Sequence, residues 1–227
     1  MSRAELVKNY LDGQLSRRVF IRGMIATGVS AAAALSYAGL LEAEPAAAAI
    51  VNFYLVMEDF QFDTPAHLVQ GQGVEFANHG ATAHNARDTS GLRLFNTGSV
   101  NPAGAHVIGA LPGAGIYPYK CDDTGHPAMN GRLRVPVVAT PPSAGLGSTF
   151  LIRWAAAAVS LPPGRVFDVQ RRRPGTTAFA SWRSGVTSKA ANVTPTRRGN
   201  YAFRARVRRL SNGATSLWST PATIHVT

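Results

Sequence analysis

The sequence predicts an all-β protein of two successive modules behind an N-terminal helical signal segment. Short apolar and aromatic runs recur from residue 51 onward, and turn-forming residues separate them. The chain is rich in such residues, with 22 Gly and 14 Pro among its 227 residues. No segment beyond residue 50 keeps a helical period of useful length. Hydrophobic residues make up 45% of the chain and charged residues 15%, which favours ordered modules with buried cores over bulk disorder.

Residues 1–49 are predicted to be an export signal. Two consecutive arginines and a nearby aromatic residue precede 19 uncharged residues rich in Ala, Gly and Ser. The motif residues are Arg17, Arg18 and Phe20. They resemble the twin-arginine signal, which implies export of the folded protein to the periplasm, the cell surface or the medium. Alanines 46–49 offer a cleavage site, and an uncleaved segment, the alternative, would be the chain's one membrane attachment.

Residues 50–138 are predicted to fold as an antiparallel β-sandwich or barrel, because five short runs alternate with turn signals. The predicted strands are 51–62, 73–78, 104–111, 115–120 and 131–138. The candidate functional side chains come directly after the fourth strand, where a thiol, an imidazole and a thioether lie within nine residues. These side chains belong to Cys121, His126 and Met129.

This donor set predicts a copper site. Cys121 is the only cysteine, so it forms no intramolecular disulfide. With a second imidazole, the set becomes two His and one Cys with a weak axial Met, the ligands of blue copper centres. Soft sulfur ligands disfavour Mg²⁺ and Ca²⁺, and the thioether disfavours a catalytic zinc. One ion cycling between Cu(I) and Cu(II) is therefore expected.

The same residues resemble the cupredoxin family, the plastocyanin, azurin and amicyanin group. Strand 115–120 with Cys121, His126 and Met129 looks like the last strand pair of that fold and its ligand loop, while His84 looks like the first ligand. The loop combines an azurin-like C-x4-H interval with an amicyanin-like H-P-x-M sequence. The resemblance implies a Greek-key sandwich or barrel.

The resemblance also implies supporting residues. Asn85 would brace the two ligand loops by a side-chain hydrogen bond, which in the family usually meets a Ser or Thr after the cysteine. Here that position is Asp122, whose carboxylate could accept the same bond. The exposed edge of His126, flanked by the small residues Pro127 and Ala128, would be the port through which electrons pass to a redox partner.

Four other histidines compete for the role of second imidazole, but none has a neighbouring motif. They are His67, His79, His106 and His225. His79 is the nearest competitor, five residues before His84, and Asn85 favours His84.

A four-ligand site with no open position and no carboxylate base is suited to electron transfer rather than catalysis. The paired H-x-H motifs of multicopper oxidases are absent from the sequence. The protein is therefore predicted to be an electron carrier and not an enzyme, working with a redox protein as partner. Copper scavenging or delivery without electron transfer, and a structural or adhesive role at the surface, are the alternatives.

Residues 139–148, rich in Pro and Gly, are predicted to be a linker, and 149–227 a second β-sandwich. This half resembles fibronectin type III domains, which carry no catalytic residues. The resemblance depends on Trp154 and on the patterns of 167–169, 199–207 and 216–219.

The second module is strongly basic, with thirteen Lys or Arg in residues 140–227 and a single acid, Asp168. Strand alternation predicts an outward basic face made of Arg204, Arg206 and Arg208, joined by Arg172 from a neighbouring strand. Such a face suits an anionic cell-envelope polymer, whereas export and the lack of a recognised motif disfavour nucleic acid. A solvated surface of an arginine-rich protein is the alternative.

Overall fold

The computed structural model of this chain describes residues 2, 5–7, 9, 15, 17–30, 52–63, 66–123, 125, 126 and 128–227. It divides the chain into two compact units, Met1–Ala49 and Ile50–Thr227.

In the first unit, residues 5–7 and 9 are helical, and the helix α1 spans Arg17–Ala26. Phe20 is buried together with Leu6 and Met24, and Arg18 is exposed. The predicted cleavage site at 46–49 and most of the uncharged stretch lie outside the described residues. In the parts of the chain that the structure describes, no helix is long and apolar enough to cross a membrane.

The second unit is all-β, as the sequence predicts, and its first half is a sandwich of two four-stranded sheets. The sheet orders are β2-β1-β4-β6 and β3-β8-β7-β5. The strands are β1 (Phe53–Glu58), β2 (Gln61–Phe62), β3 (Ala66–His67), β4 (Val74–Asn78), β5 (Arg87–Asp88), β6 (Ala105–Ile108), β7 (Gly115–Lys120) and β8 (Asn130–Val135).

The first sandwich is mixed rather than purely antiparallel. β1 pairs with β4 in parallel, and so does β3 with β8. The chain leaves the first sheet after β2, adds β3 to the second sheet and then returns for β4. Because of this crossing, β1 and β4 run in the same direction, a feature that strand periodicity alone could not predict.

The second half pairs a five-stranded sheet with a three-stranded one, in the orders β10-β16-β15-β12-β13 and β14-β11-β9. Its strands are β9 (Val138–Thr140), β10 (Ser143–Ala144), β11 (Phe150–Arg153), β12 (Arg165–Arg172), β13 (Ala180–Val186), β14 (Ala190–Val193), β15 (Gly199–Arg209) and β16 (Ala222–Val226). The segment 139–148, for which the sequence predicts a linker, thus supplies strand residues: β9 pairs with β11, and β10 with β16.

One hydrophobic core runs through both halves of the second unit. Residues 111–115 are buried and form the junction. The backbone N–H of Ala114 donates to the carbonyl of Trp154 at 2.6 Å, and Ile116 pairs with Leu217 by two backbone bonds. Ser216 lies against Gly115 at this seam. The two halves are therefore packed together rather than joined only by a flexible segment.

Candidate metal centre

The last strand pair of the first sandwich positions the ligand loop. β7 and β8 are antiparallel, and Cys121 directly follows β7 while Met129 directly precedes β8. The Cys121 N–H donates to the Met129 carbonyl at 2.9 Å, and the Met129 N–H donates to the His126 carbonyl at 3.2 Å. The loop therefore folds back on itself and holds its three potential donors close together.

The remaining imidazole comes from a different part of the sandwich. His84 lies between β4 and β5, where it pairs with Val100 by backbone hydrogen bonds of 3.1 and 2.7 Å. This pairing fixes the segment beside the ligand loop, and the rings of His84 and His126 lie 4.5 Å apart between centroids.

The structure brings His84, Cys121 and His126 together, with potential donor atoms all within 4.8 Å of one another. The Cys121 Sγ lies 3.6 Å from the His126 Nδ1. All three side chains are buried, at 0%, 4% and 6% exposure, and Met129 is buried beside them at 1%. These are three of the four ligands that the sequence predicts, and Met129 as the fourth stays a prediction.

Two observations show that the residues fit a metal ion. The Nδ1 of His84 is buried and has no hydrogen-bond partner within the described part of the chain, which is costly unless something else binds it. Bonds of ~2.0 Å to nitrogen and ~2.3 Å to sulfur, the lengths known for zinc, put two ligands ~3.7 Å apart at a trigonal angle. The observed 3.6 Å separation matches that spacing.

Asn85 connects the two ligand segments as predicted, but through a different atom of its partner. Its Oδ1 accepts from the Asp122 backbone N–H at 2.7 Å, and its own backbone N–H points to the Cys121 Sγ at 3.4 Å. The Asp122 carboxylate instead binds Arg87 and Lys120, which together hold its pKa well below the usual range. The hydrogen bond from residue 122 to Asn85 needs only a peptide N–H. The side chain at position 122 therefore matters less for this connection than the sequence suggested.

Sequence reasoning missed Asp59. Its carboxylate lies 3.2 Å from the Nε2 of His84 and accepts hydrogen bonds from the backbone of Ala81 at 3.0 Å and the hydroxyl of Thr82 at 3.1 Å. The Ala81 bond leads the interactions that lower the pKa of Asp59. Asp59 precedes His84 by 25 residues in the chain, and no spacing rule connects them.

Gly80 makes this contact possible. A Cβ atom there would lie 2.4 Å from the Asp59 Oδ1 and 2.9 Å from the His84 Nε2. Any side chain at position 80 would therefore push the carboxylate and the imidazole apart.

The predicted electron port is more enclosed than expected. His126 is buried, and the ring of Phe60 stands edge-on to it with centroids 5.2 Å apart. Phe60 is 64% exposed and has a φ of 70°, an unfavourable backbone conformation for a bulky residue. Ala128 is exposed, and Pro127 lies outside the described residues. An exposed aromatic ring thus lies against His126, and the hydroxyl of exposed Thr82 lies 3.4 Å from the Nε2 of the same imidazole.

The competing histidines lie elsewhere. His79, the nearest competitor in sequence, is exposed, and its Nε2 makes a 2.8 Å hydrogen bond with the Tyr54 hydroxyl. His67, His106 and His225 are also exposed. None of these four belongs to the donor group.

The predicted basic face has the expected alternation, with Tyr201, Phe203, Ala205 and Val207 buried. Its arginines, however, already have partners. Arg206 and Arg208 bind the Asp168 carboxylate, and Arg204 donates to Gln170. The guanidinium groups of Arg172, Arg204 and Arg206 also stack on the rings of Phe179 and Trp218, at 4.2 to 5.3 Å. Binding of an anionic polymer to this face stays a prediction.

No protein-family model matches the chain, and no curated protein matches it. Among solved structures it is similar to a reduced amicyanin variant and to the Cu(I) form of another amicyanin variant, each at 25% identity over 37% of this chain and 81% of that one, with a TM-score of 0.33. It is also similar to a purple cupredoxin from Nitrosopumilus maritimus, at 18% identity over 37% of this chain and 99% of that one, with a TM-score of 0.33.

Proposed function

We propose that this protein is an exported type 1 copper protein that transfers single electrons. The observation that carries the proposal is the buried convergence of His84, Cys121 and His126, with an imidazole nitrogen that lacks any partner among the described residues. A thiolate, two imidazoles and the neighbouring thioether of Met129 form the donor set that copper prefers. Bound copper would supply a one-electron couple between Cu(I) and Cu(II).

The chain's own residues would hold that couple in a fixed environment. Backbone pairing with Met129 fixes Cys121, and backbone pairing with Val100 fixes His84. The Asn85 N–H offers a hydrogen bond to the Cys121 sulfur, which stabilises negative charge on that atom. Burial of all the donors excludes water and leaves no open position for a substrate. A rigid, closed site of this kind favours electron exchange over bond-breaking chemistry.

Electrons would enter and leave where the site comes nearest the surface. Phe60 contacts the His126 ring and is itself exposed, with Ala128 exposed on the ligand loop. We place the contact with the redox partner at this apolar surface.

The second sandwich is proposed to be a fibronectin type III-like module, which the three-plus-five arrangement of its strands supports. Its packing through residues 111–115 makes it a fixed extension of the copper domain. Export through a twin-arginine signal, with Arg17, Arg18 and Phe20 as its motif, remains part of the proposal.

The test is the colour of the copper-loaded protein. One equivalent of Cu(II) should give an intense visible thiolate-to-copper band that bleaches reversibly with a mild reductant. Cys121→Ser should abolish the band, because it removes the thiolate.

His79→Ala, a histidine outside the donor group, is the matched control and should leave the band intact. A colourless wild-type product, or a band that fails to return on reoxidation, would contradict electron transfer. A colourless but tight complex would instead indicate copper scavenging or delivery.

A further inference from the structure

The second sandwich carries a group of arginines without acidic partners, away from the predicted basic face. Arg171 and Arg173 lie at the end of β12 and just beyond it, and Arg183 lies on the paired strand β13. The guanidinium carbons of Arg171 and Arg183 lie 5.9 and 5.0 Å from the centre of the Trp182 ring. Among the described residues no carboxylate forms an ion pair with these three side chains, since the single acid of this half, Asp168, binds Arg206 and Arg208.

Clustering these cations is unfavourable by itself. Partial burial lowers the pKa of Arg171, and repulsion from Arg173 and Arg183 lowers it further. Arg173 and Arg183 are exposed, whereas Arg171 is half-buried. A group of cations with a perturbed pKa, lying beside a concave surface, is a candidate site for a ligand of opposite charge.

A concave site lies directly beside the cluster. A cavity of about 440 Å³, open to solvent on one side, is lined by Arg171, Arg173, Thr176, Ala178, Ala180 and Ser181, all of which except Arg171 are exposed. Its volume falls within the range of small-ligand sites, roughly 300 to 1,000 Å³. The lining combines two guanidinium groups, two hydroxyl-bearing residues and two methyl groups, so it offers an anionic ester both cationic and apolar contacts.

We propose that this cavity binds a phosphate or sulfate group carried on a small organic moiety. The planar guanidinium fork of arginine matches the oxygen geometry of such tetrahedral oxyanions and can bind two oxygens at once. The alanine methyl groups would contact the carbon part of the ester. The site is separate from the copper centre, so its ligand would bind the protein independently of electron transfer.

The proposal predicts saturable binding of oxyanions to the full chain. Inorganic phosphate, inorganic sulfate and glycerol 3-phosphate are titrated at constant ionic strength against chloride, and tryptophan fluorescence and the thermal midpoint are recorded. We expect all three anions to raise the midpoint, because a ligand that binds only the folded state stabilises it. Glycerol 3-phosphate should bind more tightly than inorganic phosphate, because it adds a carbon part. Comparing the affinities of inorganic phosphate and inorganic sulfate shows which oxyanion the site prefers.

Charge-neutral variants locate the site. Arg171→Gln and Arg173→Gln should each weaken binding by about tenfold or more, because each removes a charge-assisted contact. Arg172→Gln is the matched control: it removes the same charge from the same strand, but Arg172 stacks on Phe179 outside the cavity, so binding should change less than about twofold. Arg173 is exposed and its variant should fold even if the variant at Arg171 does not.

Three results would overturn the proposal. An effect of the oxyanions on the thermal midpoint equal to that of chloride would show only general screening. The Arg172 variant could lose as much affinity as the Arg171 and Arg173 variants, which would show binding to overall charge. Equal affinities for glycerol 3-phosphate and inorganic phosphate would show that Ala178 and Ala180 do not contact the carbon part of the ligand.

Discussion

At the scale of single residues, Asp59 has the largest expected influence on the metal centre after the donors themselves. Its carboxylate lies 3.2 Å from the Nε2 of His84, while the Nδ1 of the same ring is buried without a hydrogen-bond partner among the described residues. A carboxylate in this position orients the imidazole and increases its basicity. Its negative charge also stabilises the more positively charged form of the metal, so Asp59 should favour Cu(II) over Cu(I).

Asp59→Asn should therefore raise the reduction potential of the copper protein and weaken Cu(II) binding, by about 10- to 100-fold if it behaves like other supporting residues of metal sites. Spectroelectrochemistry and competition with a chelator measure the two effects. Gly80→Ala, which pushes the same carboxylate away from His84, should shift the potential in the same direction.

Glu58→Gln is the control, because this adjacent carboxylate makes no hydrogen bond to His84 among the described residues. An unchanged potential in Asp59→Asn would show that the carboxylate contact does not tune the metal.

At the scale of strands, the pairing of β12 with β15 depends on one buried acid. Asp168 lies opposite Arg206 in the register, and its carboxylate accepts from Arg206 at 3.3 Å and from Arg208 at 2.9 and 3.1 Å. Burial acts to raise the pKa of Asp168, but the hydrogen bonds from Arg208, Gly185 and Arg206 outweigh it and bring the pKa to about 2. The folded state therefore prefers the ionised acid.

Asp168→Asn should lower the free energy of unfolding by about 2 kcal/mol at neutral pH, because it leaves two partly buried arginines without their counter-charge. The sign of the pH dependence follows from a folded pKa below the ordinary value of 3.8. The contribution is complete above about pH 4 and is lost as the pH falls towards about 2. Urea unfolding of the wild type and the variant from pH 2 to 7 measures it.

Asp63→Asn, at an exposed acid, is the control and should change stability little at any pH. A stability gap between the wild type and Asp168→Asn that stays constant down to pH 2 would contradict the assignment.

At the scale of the whole molecule, the junction at residues 111–115 couples the two sandwiches. A Cβ atom at Gly113 would lie 2.5 Å from a ring carbon of Phe167 and 2.7 Å from the Trp154 carbonyl oxygen. Tyr117 adds a hydrogen bond from its hydroxyl to the Gly113 carbonyl, and burial raises its pKa far above the ordinary value. The shared core implies that residues 52–227 unfold as one cooperative unit.

Gly113→Ala should destabilise both halves together, by about 1 to 3 kcal/mol, because backbone and a packed ring must move to admit the methyl group. Gly109→Ala, where no atom lies within 4 Å, is the matched control and should be close to neutral. Calorimetry of the wild type should show one transition for the two sandwiches. Two separate transitions, or loss of only one half in the Gly113 variant, would show that the sandwiches fold independently.

The sequence by itself determined the all-β class and the approximate positions of five strands of the first half, β1, β4, β6, β7 and β8, because alternation and turn chemistry are local. It also predicted the donor residues near Cys121, which lie within nine residues. Only the tertiary structure decided the parallel pairing of β1 with β4, the contact of Asp59 with His84 and the Phe60 ring over His126. Each of these joins segments that are distant in the chain, and such contacts depend on how the sheets pack. For the same reason the sequence did not show the partners of the three β15 arginines of the predicted basic face. Asp168 and Gln170 lie on another strand, and only the β12–β15 register brings them to Arg204, Arg206 and Arg208.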